Sequence, residues 1–197
     1  ELQKDDSYVA DLRELDAYPA QPDSPYGWEK LFTEIMCKSF EEDYGLKNRI
    51  ARYHNIYGPE GTYKGGREKA PAALCRKVAM AKDGGSITIW GNGKQIRSFL
   101  YIDDCLEATK LLMESDCKEP LNIGSDEAIT INELADMIIK ISGKNIEKKY
   151  DLAKPIGVRS RNADITLLKK KLNWQPKVTY QKGLEKTYRW VEKQVNK

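Results

Sequence analysis

The sequence is poor in the residues that most often build metal sites and hydrolase sites. It has one histidine, His54, and four cysteines without a CxxC spacing. A single histidine excludes the usual histidine-rich zinc sites and offers no choice of histidine for a Ser-His-Asp triad. The cysteines lie in helical or near-helical stretches, which is typical of reduced, mostly buried thiols in a cytosolic protein.

Long apolar runs are missing as well. No stretch approaches the roughly 18 residues that a membrane span needs, and the start of the chain does not resemble a signal peptide. Charged residues make up 32% of the 197 residues, yet the net charge is only +3. Basic residues are not clustered with aromatic ones, so no nucleic-acid footprint is present. We therefore expect a soluble, cytoplasmic protein that binds neither nucleic acid nor membranes.

A glycine-rich phosphate loop of the GxGxxG type is also absent, and the chain begins with Glu1 in a polar stretch. We interpret the chain as the C-terminal portion of a longer polypeptide. Its hydrophobic content of 40% is enough for a real core. The length suits one domain or the unequal parts of two.

Apolar periodicity, capping residues and turn residues together outline the secondary structure. Helices are predicted over 26–43, from Pro71 to about Ala81, from Asp103 or Asp104 to Met113, from Thr130 to about Gly143, from Asp164 to Leu172, and after Thr179. Strands are predicted over 46–53, 87–90, 96–101, 120–124 and 145–150, with 87–90 and 96–101 on either side of the turn Gly91-Asn-Gly93. Strands that alternate with helices predict an α/β fold with a largely parallel sheet.

One candidate catalytic pair stands at the start of the first helix. Tyr26 and Lys30 are four residues apart, so both side chains lie on one helix face. An ammonium group beside a phenol favours the phenolate form, which suits an acid/base catalyst for an alcohol that becomes a ketone. A bare YxxxK is otherwise most often an exposed aromatic residue and a solvated lysine.

Five ordered segments strengthen that interpretation. They are Tyr26…Lys30, Arg52-Tyr-His-Asn-Ile-Tyr-Gly-Pro59, Arg97-Ser-Phe-Leu-Tyr-Ile-Asp-Asp104, Asn122-Ile-Gly124 and Arg161-Asn-Ala-Asp164. In this order they resemble the extended short-chain dehydrogenase/reductase family, whose members modify nucleotide sugars with tightly held NAD. The stretch Gly65-Gly-Arg-Glu-Lys-Ala-Pro71 resembles one subfamily in particular, the GDP-mannose 3,5-epimerases. So do Trp90-Gly-Asn-Gly-Lys-Gln-Ile-Arg-Ser-Phe99 and Gly157-Val-Arg-Ser-Arg-Asn162.

This resemblance implies the C-terminal part of a Rossmann-like parallel sheet with a smaller mixed α/β substrate-binding domain. We expect 1–58 and 96–125 to be the remainder of the NAD-binding domain. The ranges 59–95 and 126–197 then form the nucleotide-sugar domain. The glycines that bind the dinucleotide, and a catalytic cysteine of the subfamily, would lie upstream of Glu1.

The resemblance also implies a reaction, from GDP-mannose to GDP-L-galactose. Oxidation of sugar carbon 4 by NAD, with Tyr26 as base and Lys30 tuning it and holding the nicotinamide ribose, acidifies the hydrogens on carbons 3 and 5. Lys69 and the upstream cysteine would then exchange protons on opposite ring faces. A lysine takes such a role where desolvation or nearby cations make its amine less basic, and Arg67 is close in sequence.

Further residues are predicted by resemblance to bind the substrate. They are Asn55, Glu68, Lys69, Ala70, Lys77, Gln95, Arg97 and Arg161. Three have plain alternatives: Asn55 as a strand-end turn residue, Lys77 as a solvated helix lysine, and Arg161 in a salt bridge with Asp164. No role is predicted for His54, and the four tryptophans are expected to fill core or domain contacts.

Assembly and rival functions complete the expectations. Relatives dimerise through a four-helix bundle, so the first helix is predicted to pair with its equivalent in a homodimer, although an ordinary amphipathic helix would have the same pattern. One rival function is another NAD-dependent 4-epimerase, 4,6-dehydratase or decarboxylase of the same fold. The other is a non-catalytic nucleotide-sugar-binding module. The chain by itself is expected to be inactive.

Overall fold

The computed structural model describes residues 11–22, 24–154 and 159–197 and shows six helices and ten short strands there. The helices are α1 Pro25–Tyr44, α2 Ala70–Met80, α3 Ile102–Glu114, α4 Ile131–Ser142, α5 Thr166–Leu172 and α6 Tyr180–Val195. The strands are β1 Asp11–Leu12, β2 Ala51–Tyr53, β3 Ile56–Tyr57, β4 Ser86–Trp90, β5 Ile96–Ser98, β6 Leu100–Tyr101, β7 Leu121–Ile123, β8 Ala128–Thr130, β9 Glu147–Asp151 and β10 Ser160–Ala163. Gly157 and Val158 of the predicted motif lie outside the described residues.

The strands pair mostly in parallel, which confirms the predicted α/β class. Four of them form a sheet in the order β1-β10-β5-β8, and the others form the pairs β2-β7, β3-β6 and β4-β9. Only the β5-β8 pairing is antiparallel among those described. Parallel neighbours need long crossovers, and here the helices supply them.

Two predicted local features differ from the structure. The turn at Gly91 and Gly93 is present, with left-handed backbone at both glycines (φ 66° and 70°). The flanking strands nevertheless form no hairpin, because β4 pairs with β9 while β5 pairs with β10 and β8. The predicted strand 46–53 is reduced to β2, since only 51–53 reach the partner strand β7.

Helix ends follow the capping residues at most positions. Gly45 ends α1 in the left-handed region, and Thr130 and Glu133 form the predicted capping box of α4. For α3 the prediction was wrong, because Tyr101 is the N-cap. The Asp104 carboxylate instead accepts the backbone N–H groups of Lys177 and Val178, at 3.0 and 2.9 Å.

Two apolar cores lie side by side. The first joins α2, α4 and α6 with strand β4, and its centre is formed by side chains such as Val78, Ile138 and Tyr188. The second joins α3 and α5 with β7 and β10. It includes buried side chains from 163–174, which the predicted domain division assigns to the sugar domain, and that division stays a prediction.

The four tryptophans differ in how far they are buried, and three of the four cysteines are buried. Trp174 is buried and Trp190 packs against the first core, as predicted. Trp28 and Trp90 are about half exposed (53% and 51%), so the prediction of a core role is wrong for them. Three cysteines, Cys75, Cys105 and Cys117, are buried free thiols. Burial raises the pKa of Cys75 to about 12.

Helix α2 is held firmly at its C-terminal end. The ammonium group of Lys144 donates hydrogen bonds to the carbonyl oxygens of Val78, Ala79 and Ala81, at 3.1, 2.9 and 2.8 Å. These are carbonyls that the helix itself cannot satisfy, and a cation there also complements the helix dipole. α2 is therefore a fixed support for the side chains that it carries.

No helix in the described ranges is long and apolar enough to cross a membrane.

Candidate functional site

A cleft of about 410 Å³ opens beside the N-terminal half of α2. Seven of the eight predicted substrate-binding residues line it: Asn55, Glu68, Lys69, Ala70, Lys77, Gln95 and Arg97. These residues come from three separate stretches of sequence, and the fold brings them together. Leu74, Ile89, Phe99 and Ile131 give the cleft an apolar floor, while Trp90 is half exposed at its side.

Asn55 shows how the local backbone places a cleft residue. It sits between β2 and β3 with a φ of 46°, in the left-handed region that asparagine tolerates better than most side chains. Its side-chain Nδ2 donates to the carbonyl of Ser98 at 3.1 Å. The alternative of a turn residue is therefore correct for the backbone, and the same turn directs Asn55 into the cleft.

Lys77 lies two turns along α2 from Lys69. Its Nζ donates to the carbonyl of Thr88 at 2.6 Å and lies 5.8 Å from the centre of the Trp90 ring. Lys154 approaches the same ring to 5.9 Å. Burial lowers the pKa of Lys77, and the neighbouring Arg76 charge adds to that effect. Lys77 is therefore held at the cleft wall and is not a freely solvated lysine.

Gln95 presents an unused acceptor. The side chain is 8% exposed, and its Nε2 donates to the carbonyl of Trp90 at 3.0 Å. Its Oε1 is buried and has no hydrogen-bond partner among the described residues. An unpaired buried acceptor costs about 1–3 kcal/mol, so this oxygen suits a donor on a bound ligand.

Two arginines lie on adjacent strands at one side of the cleft. Arg97 on β5 is directly paired with Arg161 on β10. The pKa of Arg97 is lowered by burial and then by the Arg161 charge. Arg161 is not among the cleft-lining residues. In the described part of the chain it forms no ion pair with Asp164, whose carboxylate accepts the N–H of Thr166 at 2.7 Å.

Lys69 and Glu68 differ in their hydrogen bonds to the rest of the chain. Lys69 is exposed at the N-cap of α2, and the described residues give its Nζ no hydrogen bond or ion pair. Desolvation, which is one of the two conditions predicted for Lys69 as an acid/base group, is therefore not provided by the described residues. Glu68 accepts hydrogen bonds at both carboxylate oxygens, from Gly66 N–H at 2.7 Å and from Arg76 at 3.0 Å.

A second groove, of about 710 Å³, contains the other predicted pair. The Nζ of Lys30 lies 5.2 Å from the centre of the Tyr26 ring, so the two side chains share one helix face as predicted. Both are exposed, and Lys30 also contacts Glu29 at 3.3 Å. Adjacent residues connect the two cavities, because His54 lines this groove and Asn55 lines the cleft.

The strand end at His54 is fixed by Asn122, a residue of the Asn122-Ile-Gly124 segment for which the sequence predicted no role. Asn122 donates from Nδ2 to the carbonyls of Leu12 and Asp164, at 2.8 and 3.1 Å. Its Oδ1 must therefore accept the hydrogen bond that it shares with His54 Nε2, at 3.1 Å. Burial is the main reason that the pKa of His54 is lowered, with the charges of Arg161 and Arg52 contributing. The neutral Nε2–H imidazole is the form that fits.

Metal chemistry finds no support in the part of the chain that the structure covers. No three His, Cys, Asp or Glu side chains there are grouped so that they could hold an ion.

Comparisons with known proteins define the class. Residues 6–124 match the NAD dependent epimerase/dehydratase family. The chain therefore belongs to that family, and it shares the fold of nucleotide-sugar epimerases of known structure. The UDP-glucose 4-epimerase of Thermotoga maritima, solved with UDP-glucose, is 33% identical with a TM-score of 0.80. The alignment covers 89% of this chain and 55% of that one.

More specific similarity is found among curated sequences. GDP-mannose 3,5-epimerase of Arabidopsis thaliana is 48% identical over 186 residues, which is 94% of this chain and 48% of the relative. An enzyme of the same name from Oryza sativa subsp. indica gives the same figures. The chain thus spans about half the length of the curated relatives that it matches.

Proposed function

We propose that this chain supplies the nucleotide-sugar site and part of the catalytic machinery of an NAD-dependent epimerase that converts GDP-mannose to GDP-L-galactose. One observation carries the proposal: residues predicted from three sequence segments line a single cleft. The cleft combines an apolar floor with cationic groups at Lys69, Lys77 and Arg97. That combination suits a base and sugar linked through a diphosphate.

Each side chain has a chemical part in the proposed reaction. NAD, when bound, accepts the hydride from sugar carbon 4 and later returns it. Tyr26 takes the proton of the carbon 4 hydroxyl, and Lys30 stabilises the phenolate. The resulting ketone acidifies the hydrogens on carbons 3 and 5, and Lys69 exchanges protons on one ring face. The group on the other face would come from outside these 197 residues.

The second groove fits one end of NAD. Tyr26 and Lys30 are exposed there side by side, as a nicotinamide ribose would require. The sequence holds no glycine-rich phosphate loop for the pyrophosphate. We therefore propose that Tyr26 and Lys30 hold only the nicotinamide end of NAD. NAD binding then depends strongly on the remainder of the enzyme, and nucleotide-sugar binding depends on it less.

Calorimetric titration of the 197-residue chain tests the binding part. We expect GDP to bind and NAD to bind far more weakly. Lys77→Met should weaken GDP binding by at least about tenfold, because a hydrogen bond to a charged group contributes about 1.5–3 kcal/mol. Lys82→Met, at an exposed lysine just beyond α2, should change the affinity less than twofold. Equal effects of the two variants would contradict a phosphate contact at Lys77.

Solvent deuterium tests the reaction. A polypeptide that carries this chain together with the NAD-binding half should incorporate deuterium at carbons 3 and 5 of GDP-mannose. Label at neither carbon would exclude the 3,5-epimerase, and turnover of a nucleotide sugar without that label would favour the rival enzymes of this fold. The second candidate function, a binding module without catalysis, has one supporting observation, since the whole cleft is built from residues 55–131. GDP binding without any exchange would establish that alternative.

We also propose that the chain forms a homodimer through α1. None of the 20 residues of this helix is buried. Trp28, Phe32, Ile35 and Met36 recur at helical spacing and are between 43% and 61% exposed. Tyr26, Lys30 and Glu34 on the other side of the helix line the groove. The apolar face therefore points away from the rest of the described chain.

Substitution on that face tests the assembly. Phe32→Glu should convert dimer to monomer, because a central aromatic anchor typically contributes at least about 2 kcal/mol to an interface. Lys38→Glu, on another face of the same helix, should leave the dimer intact. Sedimentation velocity measures both. A monomeric parent chain at about 100 μM, well above the micromolar dissociation constants of weak specific complexes, would contradict the proposal.

A further inference from the structure

The segment that carries Lys69 to the cleft has little regular structure of its own. It runs from Gly58 to Lys69 between β3 and α2 and contains neither helix nor strand. Gly65 and Gly66 both have left-handed backbone, with φ of 97° and 84°. Such a segment adopts many conformations unless other parts of the protein hold it.

One arginine of α2 holds this segment at two points. Arg76 donates from Nε to the carbonyl of Tyr63 at 2.9 Å and from Nη2 to the Glu68 carboxylate at 3.0 Å. The second oxygen of Glu68 accepts the N–H of Gly66. These side chains are largely enclosed, with 27% of Arg76 and 9% of Glu68 exposed. The guanidinium thus connects both ends of the glycine turn to one helix.

A third contact restrains the middle of the segment. The ring of Tyr63 packs edge-on against the ring of Trp190 on α6, with centres 5.5 Å apart and an interplanar angle of 89°. Arg76 and Trp190 belong to helices that pack together in the first core. The segment is therefore fixed to the core, and the described residues give the Lys69 side chain at its end no hydrogen bond or ion pair.

We propose that Arg76 is a positioning residue that fixes the Lys69 amine at the cleft, acting through Glu68 and the Tyr63 carbonyl. This inference rests on the proposed function, in which Lys69 exchanges protons with the sugar. It also gives Glu68 a second role beside the predicted substrate contact. Each oxygen of its carboxylate already accepts one hydrogen bond, one from Gly66 and one from Arg76.

The geometry explains why arginine is needed. A guanidinium offers donors in two fixed directions, and here one direction meets a backbone carbonyl while the other meets a carboxylate. A lysine at the same position has a single ammonium group and a flexible stem. Its donors all lie on one nitrogen, so it cannot place two separate nitrogens against Tyr63 and Glu68. Arg76→Lys therefore weakens the double contact while keeping the charge and much of the packing.

The experiment uses the 197-residue chain without ligand. Lysines are reductively methylated with ¹³C, and the Lys69 signal is identified by its loss in Lys69→Arg. Hydrogen exchange at Gly66 is followed in parallel, and thermal unfolding reports global stability. The variants are Arg76→Lys, Arg76→Met and Glu68→Gln. Arg189→Lys, at an exposed arginine that pairs with Glu192, is the matched control.

For Arg76→Lys we expect an unfolding midpoint close to that of the parent. Gly66 exchange should be at least tenfold faster, and the Lys69 signal should move and sharpen as the side chain gains freedom. Glu68→Gln should produce a smaller change in the same direction, and adding it to Arg76→Met should produce little more. Unchanged exchange and an unchanged Lys69 signal in a folded Arg76→Met or Arg76→Lys variant would overturn the proposal.

A GDP titration separates this proposal from the proposed function. Arg76 also lines the cleft. If it positions Lys69, Arg76→Lys should change the Lys69 signal and should weaken GDP binding less than Lys77→Met does. A loss of affinity as large as that of Lys77→Met, with an unaltered Lys69 signal, would make Arg76 a ligand contact and sink the positioning role. Failure of GDP to bind the parent would count against the proposed function, and the ligand-free readouts would still decide the role of Arg76.

Discussion

Replacing Glu34 by leucine is expected to lower the free energy of unfolding by about 3 kcal/mol, the lower end of the cost of leaving a buried charge without its partner. Glu34 and Arg52 form a two-pronged ion pair, with Oε1 to Nε at 2.8 Å and Oε2 to Nη2 at 2.6 Å. Only 17% and 19% of these side chains is exposed. The Glu34 carboxylate also raises the pKa of Arg52. Without it, the carbonyl of Glu14, at 2.7 Å, is the hydrogen-bond partner that the described residues leave to the guanidinium.

Urea denaturation followed by circular dichroism measures this loss. The control is Glu114→Gln, whose partner Lys110 lies 3.9 Å away in an exposed pair. That change should stay within about 0.5 kcal/mol, as surface pairs generally do. The double variant Glu34→Leu with Arg52→Leu should recover part of the stability, because it no longer buries an unpaired cation. A loss below about 1 kcal/mol for Glu34→Leu would show that water solvates the Arg52 guanidinium in place of Glu34, and would contradict the prediction.

Tyr26→Phe should reduce turnover of GDP-mannose by about 10²–10⁴-fold, the usual contribution of a positioned acid/base group. The assay uses a polypeptide that carries this chain together with the NAD-binding half. Without the phenol oxygen, the carbon 4 hydroxyl has no base, so the transient NADH absorbance of a single turnover should disappear. Tyr44→Phe, at an exposed tyrosine that ends the same helix, should leave the signal unchanged.

Lys69→Ala should separate the two chemical steps. Oxidation at carbon 4 should persist, so NADH absorbance appears, while deuterium exchange at carbons 3 and 5 is lost on the face that Lys69 serves. If epimerisation continued near the parental rate, the proton-exchange role would belong to another group. If both NADH formation and exchange were lost together, Lys69 would instead act in binding the substrate.

The helices were largely predictable because their signals are local. Pro25 begins α1 and Gly45 ends it, the Thr130–Glu133 box opens α4, and Thr179 caps α6. Strands β1, β3, β8 and β10 were not predicted, since each has two to four residues and depends on its partner for definition. The pairing of the strands on either side of the turn at Gly91 was unpredictable for the same reason, because β4 pairs with β9 while β5 pairs with β10 and β8. Turn chemistry fixes the direction of the chain for a few residues, while strand pairing is decided by tertiary contacts.

The site residues that could be predicted are those that belong to a recognisable sequence motif. Resemblance identified seven cleft residues that lie up to 42 positions apart, from Asn55 to Arg97, without showing that they meet. Arg76, Trp90 and Asn122 were missed as site-building residues, because their importance lies in contacts with distant backbone and aromatic groups. No spacing rule reveals that Asn122 joins three segments or that Arg76 meets Tyr63.

The grip of Lys144 on the last carbonyls of α2 has an evolutionary consequence. Because Lys144 fixes the C-terminal end of α2, the helix keeps its position when the preceding segment changes length. Insertions or deletions around Gly61 and Thr62 would then be absorbed upstream, where both residues are exposed. Descendants of this chain could change the length of this exposed segment while Lys77 keeps its distance from Trp90 at the cleft.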